Sequence, residues 1–275
     1  MMMRAPPADR EPRMAEAGGL ETVVEHPSRG VLAQFASSPP HVELRAARIG
    51  YGSMTVVHDV DLLVGRGQSL CLVGPNGAGK STILHGIFGL ADITSGNILI
   101  AGRDVTRASA TALLSNSKLA YVLQSNSVFP DMTVEENLFM GGYLLPTRRQ
   151  AAAAAERIFD THPRLASLRK APAGALSGGE RRMLEISRAL ITDPDVLLVD
   201  EPSIGLEPRA VGEIFGMLRV LQRDHKTIVI VEQNITKGLE FADIGYVLAA
   251  GRVALAGPAA LVLKHPRVGQ LFLGG

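Results

Sequence analysis

Three features of the sequence predict an α/β fold. A short apolar strand around 69–73 runs into a glycine-rich loop and then into a helical pattern that starts at Lys80. A second apolar run, 196–199, ends in the adjacent acids Asp200 and Glu201. Between 124 and 176 the periodicity turns helical, most clearly at 134–143 and 148–159, so a helical insertion is expected within the α/β core.

The remaining elements follow in order. Structure is expected to begin near His41. Strands are predicted at 42–49 and 65–73, separated by a polar stretch of β-favouring residues, and again at 96–100, 119–123, 195–199, 227–231 and 245–249. Prolines at 6, 7, 12, 27, 39 and 40 lie among scattered charges, and residues 1–40 read as a disordered extension. A short docking segment around 30–35 is the alternative. Residues 41–275 then form one domain, with the helical insertion at about 125–178. No internal repeat points to a fused pair of such domains.

Composition narrows the function. Of 275 residues, 46% are hydrophobic and 20% charged, a globular balance. The net charge of +1 gives no basic excess for wrapping nucleic acid. Cys71 is the single cysteine, which excludes an internal disulfide and suits a reducing cytosol. No run approaches the roughly 18 apolar residues that span a bilayer. The N-terminus lacks a basic-then-apolar leader pattern. Any membrane role is therefore expected to come through partners.

The loop after the first strand reads Gly74, Pro75, Asn76, Gly77, Ala78, Gly79, Lys80, Ser81, Thr82 and matches G-x-x-x-x-G-K-[ST] at every fixed position. Glycines let the backbone curl so that several N–H groups face phosphate oxygens, and the following helix aims its positive end at the same charge. Lys80 is placed to neutralise β- and γ-phosphates and the Ser81 hydroxyl to hold Mg²⁺. A chance glycine-rich turn is the plain alternative, but the strand before and the helix after are the context a phosphate loop requires.

Asp200 and Glu201 end an apolar strand, at the carboxyl edge of a parallel sheet where ligands bind. Asp200 is expected to organise Mg²⁺ through water, and Glu201 to polarise the attacking water as general base. Upstream, Leu176-Ser177-Gly178-Gly179-Glu180 makes a capping box of the S-x-x-E form, followed by an amphipathic helix through Met183, Ile186 and Leu190. A well-capped helix is at least part of its meaning.

Together these three motifs resemble those of ATP-binding cassette (ABC) ATPases, over residues 42–275. The resemblance implies a P-loop fold with a RecA-like core sheet, an antiparallel β-subdomain and a helical subdomain. It implies ATP and Mg²⁺ as ligands, and two cassettes paired head to tail. Ser177, Gly178, Gly179 and Glu180 would then face the γ-phosphate held by the partner. Tyr51, 23 positions before Gly74, would stack on adenine, with a core strand aromatic as the alternative. Gln124 would reach Mg²⁺ and the attacking water. Glu207 stands where the family's crossing loop usually carries aspartate. Gln233 stands where most cassettes place a histidine that touches the γ-phosphate; glutamine hydrogen-bonds but carries no cation.

The run Val231-Glu-Gln-Asn234 is similar to the second ATP-binding subunit of branched-chain amino-acid importers and their urea and amide relatives. So are Val128-Phe-Pro-Asp-Met-Thr-Val-Glu-Glu-Asn-Leu138 and the ending at 266–273. Such systems pair two different cassettes on two permeases and serve a periplasmic binding protein, with the cassettes at the cytoplasmic face of the inner membrane. Leu123-Gln-Ser-Asn-Ser127 departs from the pattern usual there, which leaves the cargo open. Rival readings are a lipid or lipopolysaccharide exporter subunit, an iron–sulfur assembly cassette, or a regulatory cassette that binds ATP without cleaving it. Gly74 and Ser177 lie 103 positions apart, which leaves no room for the coiled coil of DNA-repair cassettes.

Overall fold

Strands covered on both faces need no polar positions, so they form unbroken apolar runs. Four of them make the centre of the molecule. A computed structural model describes residues 22–124 and 127–273. In chain order the strands are β1 (Val24–Glu25), β2 (Pro40–Tyr51), β3 (Met54–Gly65), β4 (Ser69–Val73), β5 (Asp92–Ile100), β6 (Arg103–Asp104), β7 (Leu119–Val122), β8 (Val196–Asp200), β9 (Thr227–Val231), β10 (Ile244–Ala249) and β11 (Arg252–Pro258). The helices are α1 (Arg29–Leu32), α2 (Lys80–Ile87), α3 (Ala110–Asn116), α4 (Val134–Gly141), α5 (Arg148–Thr161), α6 (Pro163–Ser167), α7 (Gly178–Leu190), α8 (Pro208–Arg223), α9 (Ile235–Phe241), α10 (Ala259–Lys264) and α11 (Pro266–Leu273).

The larger sheet has the order β1-β11-β10-β4-β9-β8-β7. From β10 to β7 its neighbours run parallel, and β11 and β1 close one edge antiparallel. Every residue of β4, β8 and β9 is buried. The smaller sheet, β3-β2-β5-β6, is antiparallel and packs against α2. Helices α4 to α7 lie between β7 and β8 in the chain. They bury a core of their own around Leu138, Ile158, Phe159, Leu165 and Leu184. Capping boxes fix where α4 and α7 start: Thr133 exchanges bonds with Glu136, and Ser177 with Glu180.

Two expectations need correction. Residues 1–21 lie outside the described residues, but 22–40 are not a disordered tail. Val24 and Glu25 pair with Ala256 and Leu255 of β11, and Leu32 is fully buried. The Gln68 side chain holds the same segment, accepting from the Ser37 N–H at 2.7 Å and donating to the Phe35 carbonyl at 3.2 Å. Glu25 also ion-pairs with Arg267 of α11. The stretch between the first two predicted strands is itself a twelve-residue strand, β3. β11 was not anticipated at all.

Candidate nucleotide site

Strand β4 delivers the chain to residues 74–79, and α2 leaves from it. Gly79 caps α2 with φ 97°, a left-handed conformation that favours glycine. At Gly74 the backbone passes so close to the Leu248 carbonyl that an added Cβ would lie 2.3 Å from its oxygen. Lys80 Nζ lies over the loop and donates to the Gly74 and Pro75 carbonyls at 2.9 and 3.1 Å. Burial pulls its pKa down, opposed by the nearby Glu201 and Asp200 carboxylates.

The next parallel strands bring the acids to the same place. Asp200 ends β8, and its Oδ1 accepts from the Ser81 hydroxyl at 3.0 Å. Glu201 follows with φ 44°, its N–H bonded to the Val231 carbonyl of β9 at 2.9 Å. Gln124, just past β7, donates to Glu201 Oε2 at 2.8 Å. Gln233, just past β9, donates to Asn76 Oδ1 at 3.4 Å. Lys80, Ser81, Gln124, Glu201 and Gln233 thereby share one cavity of about 370 Å³, lined also by Val56 and Ile204. Residues from four separate parts of the sequence have converged on one opening.

The family model described as ABC transporter matches residues 57–204, more than half of the chain. The chain belongs to the ABC transporter family. As an ABC cassette it is an ATPase whose hydrolysis is coupled to transport. It is 38% identical over 225 residues to the high-affinity branched-chain amino acid transport ATP-binding protein BraG of Pseudomonas aeruginosa, covering 82% of this chain and 96% of that one. It is also 38% identical to the probable branched-chain amino acid transport ATP-binding protein LivF of Archaeoglobus fulgidus, over 82% of this chain and 95% of that one. The lipopolysaccharide export system ATP-binding protein LptB of Acidithiobacillus ferridurans is 34% identical, over 82% and 92% of the two chains. Among solved structures, a nucleotide-free ATP-binding cassette from an ABC transporter superposes with a TM-score of 0.78 at 25% identity, covering 86% of this chain and all of that one.

Not every expected site residue of the cassette lines this cavity. Ser177, Gly178, Gly179 and Glu180 begin α7 away from it. Gly179 packs so close to α8 that an added Cβ would sit 2.7 Å from Ala210 Cβ. Tyr51 also stands apart, at the end of β2. Its hydroxyl and His85 Nδ1 of α2 lie 2.5 Å apart, and the residue is 40% exposed.

Two supports were invisible in the motifs. The Tyr121 hydroxyl of β7 donates to Asp200 Oδ2 at 3.1 Å; burial and the Asp200 charge together push its pKa up. Glu232, 1% exposed, joins two loops. Its carboxylate accepts from the Ser203 N–H and hydroxyl, both at 2.9 Å, and from the Asn234 N–H at 3.1 Å. Burial raises its pKa against these bonds. The loop after Glu201 is thus tied to the loop that carries Gln233. Neither contact follows a sequence spacing; only the parallel order of β7, β8 and β9 reveals them.

Proposed function

We propose that this cassette drives an importer for branched-chain or other hydrophobic amino acids. The observation that carries the ATPase chemistry is the cavity shared by Lys80, Ser81, Gln124, Glu201 and Gln233. In this reading the loop 74–79, Lys80 and Thr82 bind the phosphates, and Tyr51 covers adenine. Glu201 takes a proton from the attacking water, which Gln124 and Gln233 orient.

The donors around Ser81 fit Mg²⁺. Ser81 Oγ, Asp200 and the Gln124 amide oxygen are hard oxygen ligands. Among the described residues no group of three His, Cys, Asp or Glu side chains forms a closed metal cage. That agrees with an ion held largely by substrate phosphates and water. When bound, the ion would neutralise charge on the phosphates.

The amino-acid cargo rests on the likeness to BraG and LivF and on the Glu-Gln-Asn run after β9. The signature segment's distance from its own phosphate loop favours a paired cassette that completes each ATP site, and Gln233 favours an unlike partner. Among the described residues no helix is long and apolar enough to cross a membrane. Phe129, Met140, Tyr143 and Leu144 are each exposed in the stretch on and around α4. That stretch suits docking to membrane permeases at the cytoplasmic face, with a periplasmic binding protein beyond them.

The test is to co-express the chain with its proposed permeases and second cassette, then measure uptake of labelled leucine, isoleucine and valine. Uptake that needs Glu201 supports the reading. Mg²⁺-dependent ATP hydrolysis without uptake of any of the three would sink the cargo and leave the ATPase standing. Export of a lipid by the same complex would favour the likeness to LptB instead.

A further inference from the structure

Helix α7 carries a charged pair deep inside the molecule. Arg182 is 5% exposed and Glu185, three residues on, is equally buried. Burying a guanidinium is costly unless its donors are satisfied; here both terminal nitrogens find acceptors, while Nε has none among the described residues. Arg182 Nη1 donates to Glu185 Oε2 at 2.9 Å and to the Leu123 carbonyl at 2.6 Å. Nη2 donates to the Asp200 carbonyl. Glu185 Oε1 in turn accepts from the Ser127 N–H at 3.4 Å.

The two carbonyls are not arbitrary. Leu123 immediately precedes Gln124, and Asp200 immediately precedes Glu201. Those are the two side chains joined at 2.8 Å in the cavity. One planar fork therefore grips the backbone just before both members of the pair. A guanidinium can hold two acceptors in fixed directions at once; an ammonium on a flexible stem cannot. Arg182 also lies five residues after Ser177, on the helix that Ser177 caps.

We propose that Arg182 is a positioning residue for ATP hydrolysis: it sets Gln124 against Glu201 and ties both to the helix that begins at Ser177. Glu185 compensates the buried charge and steadies the far side of the Gln124 loop at Ser127. A shift of α7 would pull on both carbonyls together. The same contact therefore lets the position of the signature helix adjust the geometry around the attacking water. This inference rests on the reading that Gln124 and Glu201 act in hydrolysis.

The test uses the full chain assembled with its partner cassette, with Mg²⁺ and ATP. Arg182→Gln and Glu185→Ala are made together, so that no unpaired charge is left buried. Turnover should fall about tenfold, with the KM for ATP changed less than about twofold. In a Gln124→Ala background the same two substitutions should lower turnover by less than about twofold, because residues acting as one unit are not additive. Wild-type turnover in the double variant overturns the proposal. So does an undiminished tenfold loss in the Gln124→Ala background, which marks a merely structural role. If the double variant fails to fold, Arg182→Lys carries the test. It keeps the charge but loses the fork; reduced turnover at unchanged KM supports the proposal, and wild-type turnover overturns it. Full turnover in Glu201→Gln would instead remove the underlying catalytic reading.

Discussion

Tyr121 and Ser81 hold the Asp200 carboxylate from opposite oxygens, Tyr121 at 3.1 Å on Oδ2 and Ser81 at 3.0 Å on Oδ1. Both donors are hydroxyls, and they meet a side chain that is only 2% exposed. Removing the phenol leaves one buried oxygen without its donor. Tyr121→Phe should cost about 1–3 kcal/mol of stability, read by urea unfolding, and should raise the Mg²⁺ needed for half-maximal turnover. A variant with unchanged stability and unchanged Mg²⁺ dependence would show that the hydroxyl does not hold Asp200.

Gln233 reaches Asn76 at 3.4 Å, a long bond that leaves it room to move. In the proposed reading it would offer a hydrogen bond but no cation to phosphates held in this cavity. Gln233→His is expected to raise turnover of the assembled complex by about threefold, equivalent to about 0.7 kcal/mol of barrier. Equal turnover in the two proteins would mean that the glutamine does not limit hydrolysis.

Leu32 buries its whole side chain from a four-residue helix. Leu32→Ala should cost about 2–5 kcal/mol, as for other fully buried leucines. Chemical denaturation of the full chain measures it. A cost under about 0.5 kcal/mol, the range of surface substitutions, would show that the segment is laid on the domain without supporting it.

Glu135 on α4 is bound by Arg169 and Lys170, whose hydrogen bonds bring its pKa to about 2 from an ordinary 4.5. A carboxyl with a depressed folded pKa stabilises the fold above its unfolded value. That contribution is lost as pH falls from about 4.5 towards about 2. The cluster is near solvent, so the share at stake is about 0.5–1 kcal/mol rather than the full shift. Glu135→Gln should flatten the acid limb of stability against pH over that interval and leave neutral pH nearly unchanged in shape. An identical acid limb in both proteins would contradict it.

How far the sequence could be read depended on where each determinant lies. The phosphate loop was legible because its chemistry is encoded in adjacent residues, Gly74 to Thr82. Strands β4, β8 and β9 were legible because burial on both faces leaves continuous apolar runs. β3 was hidden by His58, Asp59 and Asp61, polar residues on a strand of an antiparallel sheet. β11, with Ala254, Ala256 and Gly257, has weak strand propensity and forms by pairing. Residues 22–40 looked disordered because scattered contacts, among them Leu32, the β1 pair and the Gln68 side chain, secure them rather than a periodic apolar face. Tyr121, Arg182 and Glu232 could not be found from spacing, since each acts on a residue distant in the chain.

The pairing of Val24 with Ala256 also bears on how the protein acquires its shape. The partners stand 232 positions apart, so the first described strand waits for the last one before it can bond. During synthesis the central strands and the phosphate loop can assemble while that segment is still unpaired. Contacts of such separation carry a large loop-closure cost and form slowly. The sheet's outer edge is therefore finished only after the ribosome has released β11, which makes the closing of that edge a late step in folding.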